Sequence, residues 1–158
     1  MAMLKRLQDF LDRSGAGYTH HVHPLAFTAK EVASAEKVAA HRVAKCIVFF
    51  SDTGYGMAVL PADSWVNLQE LRAALGVANI RLATEKELDE LFPECELGAM
   101  PPMGSLFGLP LYVDGSMAEE EEIAFNAGTH RDVVYMKYRD FERLNKPVTL
   151  QFARYLTA

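Results

Sequence analysis

The sequence predicts a single α/β domain built around a mixed, largely antiparallel sheet that curls, with helices packed outside it. The chain has 158 residues, of which 50% are hydrophobic, and this is about enough for one domain with a substantial core. Helical and strand-like patterns follow one another with short connections. Hairpin signals outnumber long crossovers, which favours antiparallel pairing. We therefore expect one domain over residues 1–158.

Five segments carry the signals of a helix. Apolar residues recur at helical spacing up to Ser14, which with Gly15 forms a stop signal. Two capping boxes, at Thr28 and at Thr84, each have a glutamate three residues later that reaches back to the cap. The predicted helices are 2–14, 29–36, "LQELRAALG" after the cap Asn67, "EKELDELF" and "RDFERLN".

Strand-like segments lie between these helices. The runs "VAKCIVFF" and "MAVLPA" predict a hairpin, because the turn signal "SDTGYG" separates them. The turn "NAGTH" predicts that "EIAFNAG" and "VVYMKY" form another. The stretch "PECELGAMPPMGSLFG" is rich in proline and glycine, and we expect a loop with few ladder hydrogen bonds. The other predicted strands are "YTHHVHP", "NIRLA" and "LPLYVD".

Charge and composition exclude some classes of protein. No run approaches the roughly 18 to 20 apolar residues of a membrane span, and the first residues lack a signal-peptide segment, so we expect a soluble, cytosolic protein. Cys46 and Cys95 show no paired metal-ligand spacing and are expected to be reduced thiols. The net charge of −5 argues against a protein that coats nucleic acid. A local basic cluster could still bind an anion: Lys30, Lys37, Arg42 and Lys45.

Lys45 stands at the start of a very apolar run, so its ammonium must reach solvent, find a partner or face a cleft that receives an anion. A lysine at a strand end commonly extends its ammonium into solvent. Alternatively it faces a cleft that receives an anion, because a buried unpaired ammonium is costly. On a regular strand Ile47 and Phe49 share the side of Lys45, and Cys46 and Val48 take the other. Lys45 and Cys46 are therefore not expected to share a pocket.

The segment "GAMPP" is the second candidate. Gly98 can adopt a main-chain conformation closed to other residues, and Pro101 and Pro102 stiffen the chain after it. The N–H groups of Gly98, Ala99 and Met100 could then point at a ligand and stabilise developing negative charge. A rigid surface loop would explain the same residues.

The histidines are less informative. His130 follows "NAG" in a tight turn, as a tolerated polar residue or as a donor that lines a cleft. Strand alternation puts only His21 and His23 on one side, away from His20, and no third ligand is recognisable. A metal site is not expected, although a metal-dependent hydrolase that uses His21 and His23 remains an alternative.

In their order along the chain, these segments are "TAKEVA", "VAKCIVFF", "VLPAD", "LGAMPPMG", "YVD" and "AGTHRDVVYMKYRDFERL". This order resembles the YbaK/ProX aminoacyl-tRNA deacylase family, which includes the editing domain inserted in bacterial prolyl-tRNA synthetases. The match covers nearly the whole chain. Its most specific parts are Lys45 and the G-x-x-x-P loop from Gly98 to Pro102. The resemblance implies that the sheet is open and barrel-like.

The resemblance also implies an enzyme, a free-standing deacylase that hydrolyses the ester between a wrong amino acid and the terminal adenosine of a tRNA. Alanine on proline tRNA, Ala-tRNA(Pro), is the favoured substrate. The alternatives are another misacylated tRNA such as Cys-tRNA(Pro), and a non-catalytic module that binds a nucleotide or a tRNA end. The expected partners are the 3′ acceptor end of mischarged tRNA and a prolyl-tRNA synthetase. No metal, other cofactor or covalent nucleophile is implied.

The roles implied for individual residues come from the same resemblance. Lys45 is expected to bind the phosphate at the tRNA 3′ end, where it acts as a charged anchor and not as a base. The loop amides of Gly98, Ala99 and Met100 are expected to position the ester and the attacking water. His130 matches a position near the aminoacyl group in editing domains that act on alanine. The expected substrate-binding residues are Thr28, Pro101, Pro102, His130 and His23.

Overall fold

The protein is described over residues 3–155 by a computed structural model. The helices in this range are α1 (Lys5–Ser14), α2 (Ala29–Glu36), α3 (Leu68–Leu75), α4 (Glu85–Leu91), α5 (Gly104–Phe107) and α6 (Tyr138–Asn145). The strands are β1 (Tyr18–Val22), β2 (Ala44–Ser51), β3 (Gly54–Pro61), β4 (Ser64–Val66), β5 (Ile80–Leu82), β6 (Leu111–Asp114), β7 (Glu122–Asn126), β8 (Asp132–Lys137), β9 (Val148–Leu150) and β10 (Ala153–Tyr155). Each of these helices lacks the length and apolar character that crossing a membrane requires.

Side-chain caps start three of the helices where the sequence predicts them. Thr28, Asn67 and Thr84 each accept a hydrogen bond from the main-chain N–H three residues later, and both predicted capping boxes are complete. The first helix, predicted from residue 2, begins at Lys5. Residue 2 itself lies outside the described range.

The strands form three sheets instead of one. β1, β8 and β7 make an antiparallel sheet, β10 and β4 pair with each other, and the largest sheet has the order β5-β2-β3-β6-β9. Pairing in the largest sheet is antiparallel from β5 to β3 and parallel from β3 to β9. Mixed, largely antiparallel pairing with flanking helices is thus confirmed. The barrel-like curl is not confirmed, because the described residues form no closed sheet. Within residues 3–155 an isolated bridge, between Val43 and Ala124, links the end of the chain segment before β2 to β7.

Four short elements differ from expectation. β4, β9 and β10 have three residues each, too few for a recognisable alternation of apolar and polar residues. α5 lies inside the stretch that was predicted to be a loop. Its first residue, Gly104, packs so closely on the chain that an added Cβ would lie 2.5 Å from the carbonyl oxygen of Leu109. This close approach follows from how the chain turns back after α5, and no capping or periodic pattern in the sequence indicates it.

β2 separates two apolar clusters and so sets the surroundings of Lys45. Ala44, Cys46 and Val48 pack with the main core, which also receives α1, β6, β7 and β8. Ile47 and Phe49 pack with a second cluster that includes Leu71 from α3 and Phe152. The predicted alternation along β2 is confirmed.

Candidate active site

A cavity opens where β2 and β7 diverge. Val43, immediately before β2, forms a parallel bridge with Ala124 of β7, and no strand pairing between β2 and β7 follows it within residues 3–155. β5 pairs with β2 only from Phe49 onward, so the edge of β2 between these points carries no partner strand. The cavity beside this edge has a volume of about 280 Å³ and walls that are mostly apolar. Its polar side chains belong to Lys45, Cys46 and Asn126.

Lys45 lines this cavity with a half-buried side chain. Its ammonium has no ion-pair partner between residues 3 and 155. Burial lowers the pKa of Lys45 below its ordinary value; the Asp63 carboxylate opposes this shift, and the positive charge of Lys30 adds to it. A cation that is partly removed from water and unpaired attracts an anion. Of the basic cluster, Arg42 instead faces Glu122 at 3.9 Å.

Cys46 borders the same cavity, so the expectation that Lys45 and Cys46 cannot share a pocket is wrong. The cavity follows the edge of β2 and not one face, so successive residues all border it. The carbonyl of Val48 accepts the Ala83 N–H at 2.9 Å on this edge, and the main-chain groups of Cys46 point to the same side. Burial raises the pKa of the Cys46 thiol to about 12, so it is not a nucleophile at neutral pH.

A tight turn at residues 96–99 forms the facing wall. The N–H of Ala99 donates to the carbonyl of Glu96 at 2.9 Å, and Gly98 has a φ of 82°. A positive φ at this position is typical of turns that favour glycine. Gly98 and Met100 line the cavity, and their main-chain N–H groups have no partner within residues 3–155. The Ala99 N–H is already used in the turn, so two of the three predicted amides remain available.

Four hydrogen bonds attach this turn to residues 128–130. The N–H of Glu96 donates to the carbonyl of Gly128 at 2.8 Å, and the N–H of Gly128 donates to the carbonyl of Ala99 at 2.9 Å. The N–H of His130 donates to the Glu96 carboxylate at 2.6 Å. The His130 ring donates from Nε2 to the carbonyl of Leu97 at 2.7 Å. The turn is therefore held rigidly, and His130 supports it from behind.

Phe27 forms part of the rim. Its side chain is 60% exposed, which is unusual for a large aromatic residue next to a cavity. The main chain beside it is fixed, because the N–H of Ala26 donates to the carbonyl of His130 at 3.1 Å and Thr28 caps α2. The Phe27 ring lies against the His130 ring, with 5.1 Å between the centroids.

The structure brings Lys45, Gly98 and Met100 together on the cavity wall. Other residues that the sequence indicated do not line it. His23 is buried, with Nδ1 bonded to the carbonyl of Pro24 at 2.7 Å. Five further predicted residues do not line the cavity: Thr28 caps α2, Ala99 belongs to the turn, Pro101 and Pro102 follow the turn, and His130 bonds to it.

Asn126 is a cavity residue that sequence reasoning missed. It ends β7, its side chain is half-buried, and its Oδ1 atom is buried without a hydrogen-bond partner. The motif "NAGTH" contained it, but a strand-terminal asparagine before a glycine turn is ordinary turn chemistry. Its importance depends on β2 lying opposite, which no local pattern reveals.

The other polar residues singled out have partners away from the cavity. His20 bonds the Asp132 carboxylate at 2.5 Å, and His21 bonds Glu36 at 3.0 Å. Asp114 accepts main-chain N–H bonds from Phe152, at 2.8 Å, and from Ala153 at the start of β10, at 2.9 Å. Over residues 3–155, no group of three or more His, Cys, Asp or Glu side chains is arranged to hold a metal ion.

Comparison with known proteins identifies the family. The aminoacyl-tRNA editing domain family matches residues 23–144. The Multifunctional Ser/Thr-tRNA deacylase ProXp-y of Escherichia coli K12 is 31% identical over 156 residues, which cover 95% of this chain and 92% of that protein. The proline–tRNA ligase of Heliobacterium modesticaldum is 34% identical over 87 residues, 55% of this chain and 15% of the ligase.

Solved structures show the same fold. A candidate trans-editing enzyme for prolyl-tRNA synthetase superposes with a TM-score of 0.84 at 24% identity, over 95% of this chain and 96% of that one. The hypothetical protein APE2540 superposes with a TM-score of 0.85 at 18% identity, over 94% and 99% of the two chains. The chain therefore belongs to the aminoacyl-tRNA editing domain family, and the enzyme class expected from its sequence, a tRNA deacylase, is confirmed.

Proposed function

We propose that the chain removes a wrong amino acid from tRNA, with the tRNA 3′ end lying across the mouth of the cavity. One observation carries this proposal. Lys45, Gly98 and Met100 line a single cavity, and within residues 3–155 the Lys45 ammonium has no ion-pair partner and the N–H groups of Gly98 and Met100 have no hydrogen-bond partner. In this arrangement Lys45 binds a phosphate of the terminal nucleotide. The energy of that contact holds the ester against the turn, where reaction requires it.

Hydrolysis then needs little from side chains. Water attacks the ester carbonyl, and the N–H groups of Gly98 and Met100 stabilise the negative charge that develops on its oxygen. The bond to the ribose oxygen breaks, this oxygen takes up a proton, and the free amino acid leaves. Rigid attachment of the turn to residues 128–130 supports this role, because donors that are already oriented need no rearrangement during the reaction.

The size of the cavity suits only a part of the substrate. A volume of about 280 Å³ is near the lower end of the range for small-molecule pockets. The aminoacyl group enters, while the terminal base stays at the rim. There the exposed ring of Phe27 offers a surface on which a base can stack.

The aminoacyl group that fits this proposal is small. A synthetase pocket gains only about 1 to 3 kcal/mol from one methylene, so small amino acids escape its selection and need a second pocket. The sequence resemblance favours alanine on proline tRNA. The name of the Escherichia coli relative favours serine or threonine. His130 lies behind Phe27 and Gly98 and helps to set the size limit.

A deacylation panel tests the proposal. One proline tRNA is charged in turn with alanine, serine, threonine, cysteine and proline, and loss of each ester is followed with the purified protein. At least one small amino acid should be released well above the rate in buffer, while Pro-tRNA(Pro) persists. Loss of every ester at the buffer rate contradicts the proposal. Saturable binding in that case would support a non-catalytic tRNA-end module.

The proposed partner is a prolyl-tRNA synthetase, as the supplier of mischarged tRNA, and the proposed compartment is the cytoplasm, where tRNA is charged. Matches to proline–tRNA ligases over about half of the chain support this partner. Addition of the synthetase to the panel should accelerate clearance if tRNA passes directly between the two proteins. An unchanged rate would mean that the deacylase captures its tRNA from solution.

A further inference from the structure

We propose that Asn126 selects an aminoacyl group that carries a side-chain hydroxyl, so that serine is preferred to alanine. This inference rests on the proposed function, because it assigns a specificity residue to the same cavity. The alternative is that Asn126 is a structural residue whose polarity the substrate does not sense.

The strand register places Asn126 opposite Lys45. In the parallel bridge Val43 faces Ala124, so the residues two further along each strand are Lys45 and Asn126. Residues two apart on a strand project from the same face. The two side chains therefore border the gap from opposite strands, and both line the cavity. A phosphate-bound nucleotide at Lys45 directs its aminoacyl group toward Asn126.

The Oδ1 atom of the Asn126 side chain is buried and has no hydrogen-bond partner within residues 3–155. A buried acceptor without a partner costs about 1 to 3 kcal/mol. The amide of asparagine can both donate and accept, so it can satisfy a hydroxyl in either orientation. Binding of a hydroxyl recovers this cost, whereas binding of a methyl group leaves it in place.

The remaining lining favours a hydroxyl over a charged group. Apart from Asn126, the side chains near the gap are apolar, the Cys46 thiol or the Lys45 cation. No carboxylate lines the cavity to balance the α-ammonium of the substrate, and Lys45 repels it. The α-ammonium of the substrate therefore stays at the mouth of the cavity, and the side chain of the amino acid points inward to Asn126.

The test compares serine and alanine esters on one tRNA(Pro) with the wild-type protein, Asn126→Leu and Asn126→Ala. We expect the wild type to prefer serine in kcat/KM by about 10- to 100-fold, the range that one unpaired polar group commands. Both variants should bring the ratio to within about twofold of one, because neither leucine nor alanine can form a side-chain hydrogen bond with the hydroxyl. Asn145→Leu is the matched control, because Asn145 ends α6 outside the cavity and should leave the ratio unchanged.

The outcomes separate this inference from the proposed function. A wild-type protein that hydrolyses both esters with a ratio near one overturns the role of Asn126 and leaves the deacylase intact. A serine preference that survives in both variants overturns it as well. Failure of the wild type to hydrolyse any ester in the panel overturns the proposed function and the inference together.

Discussion

At the scale of single residues, Lys45 supplies the one cationic side chain among the residues that line the cavity. Its side chain is half-buried, its ammonium has no counter-ion within residues 3–155, and its lowered pKa records the cost of removing a cation from water. A group that destabilises the free protein and is retained in a cavity is expected to act on a ligand.

Lys45→Met should separate stability from activity. Methionine keeps the length and most of the volume of the lysine stem but removes the charge. We expect kcat/KM to fall at least about 30-fold, the lower bound for loss of one partner of a desolvated charge pair. The melting temperature at neutral pH should stay the same or rise, because the penalty for burying the charge disappears. Retained turnover in this variant would show that Lys45 does not bind the substrate.

The pH dependence of binding follows from the lowered pKa of Lys45. Only the cationic form of Lys45 can pair with a phosphate. The affinity for the tRNA 3′ end should therefore be full below the pKa of Lys45 in the folded protein and fall as pH rises through that pKa. This loss should begin below the ordinary lysine value of 10.5. It can be measured with an amide analogue of the aminoacyl-tRNA 3′ end, which alkali does not hydrolyse. The stability gain of Lys45→Met should shrink over the same alkaline range, because the wild-type penalty is relieved there.

The sequence indicated Lys45 and Gly98 but not Asn126, and the reason is physical. A lysine against an apolar run and a glycine before two prolines are unusual within a few residues of chain. The role of Asn126 arises only from the position of β7 relative to β2, which depends on contacts between residues distant in sequence.

At the scale of elements, the turn at residues 96–99 is the least replaceable part of the wall. Gly98 needs its positive φ, while space is not limiting, since an added Cβ would lie 3.8 Å from Cε1 of His130. The hydrogen bonds to residues 128–130 prevent the turn from adjusting freely. A change at Gly98 should therefore move the N–H groups of Gly98 and Met100, which are proposed to stabilise the negative charge on the ester oxygen.

Gly98→Ala tests this directly. An L-residue in the left-handed region costs about 1 to 2 kcal/mol. We expect a modest loss of stability with a fall in kcat of about tenfold or more, since one oriented donor is worth about 10²- to 10³-fold in other enzymes. The matched control is Gly15→Ala. Gly15 follows α1, has a φ of 75°, and has no atom within 4 Å of the position that an added Cβ would take. It should lose similar stability with unchanged kcat, and equal kcat losses in both variants would contradict a catalytic turn.

The sequence predicted those helices and strands whose ends are set by interactions between residues close together in the chain. Capping boxes, a glycine stop and the hairpin signal gave α2, α4, the end of α1 and the β2–β3 pair. The three-residue strands and α5 depend on neighbours that the local sequence does not specify. The division into three sheets was missed for the same reason, since pairing order is a property of the whole chain.

At the scale of the whole molecule, the net charge of −5 limits how tRNA can be bound. Arg42 is paired with Glu122, so its charge is partly neutralised. Lys30 lies close enough to Lys45 for its positive charge to lower the pKa of Lys45. A protein of this charge gains little from a general attraction to the phosphate backbone. Binding should therefore depend on few phosphate contacts.

Salt dependence measures the number of those contacts. One or two contacts predict a slope of about −1 in a plot of log affinity against log salt, far shallower than for proteins that coat nucleic acid. Lys45→Met should flatten the slope by about 0.7, the value for one contact with a single strand. Lys5→Ala should not alter it, because Lys5 pairs with Asp9 on α1. A steep slope in the wild type that Lys45→Met leaves intact would place the tRNA elsewhere.

The single bridge between Val43 and Ala124 has a consequence for how amino acid preference evolves. A change in the angle between the two bridged segments would change the width of the opening between β2 and β7. Bulkier or smaller residues next to that junction would widen or narrow the entrance while every wall side chain stayed the same. Selection thus has a route to new substrates that a comparison of wall residues alone would overlook.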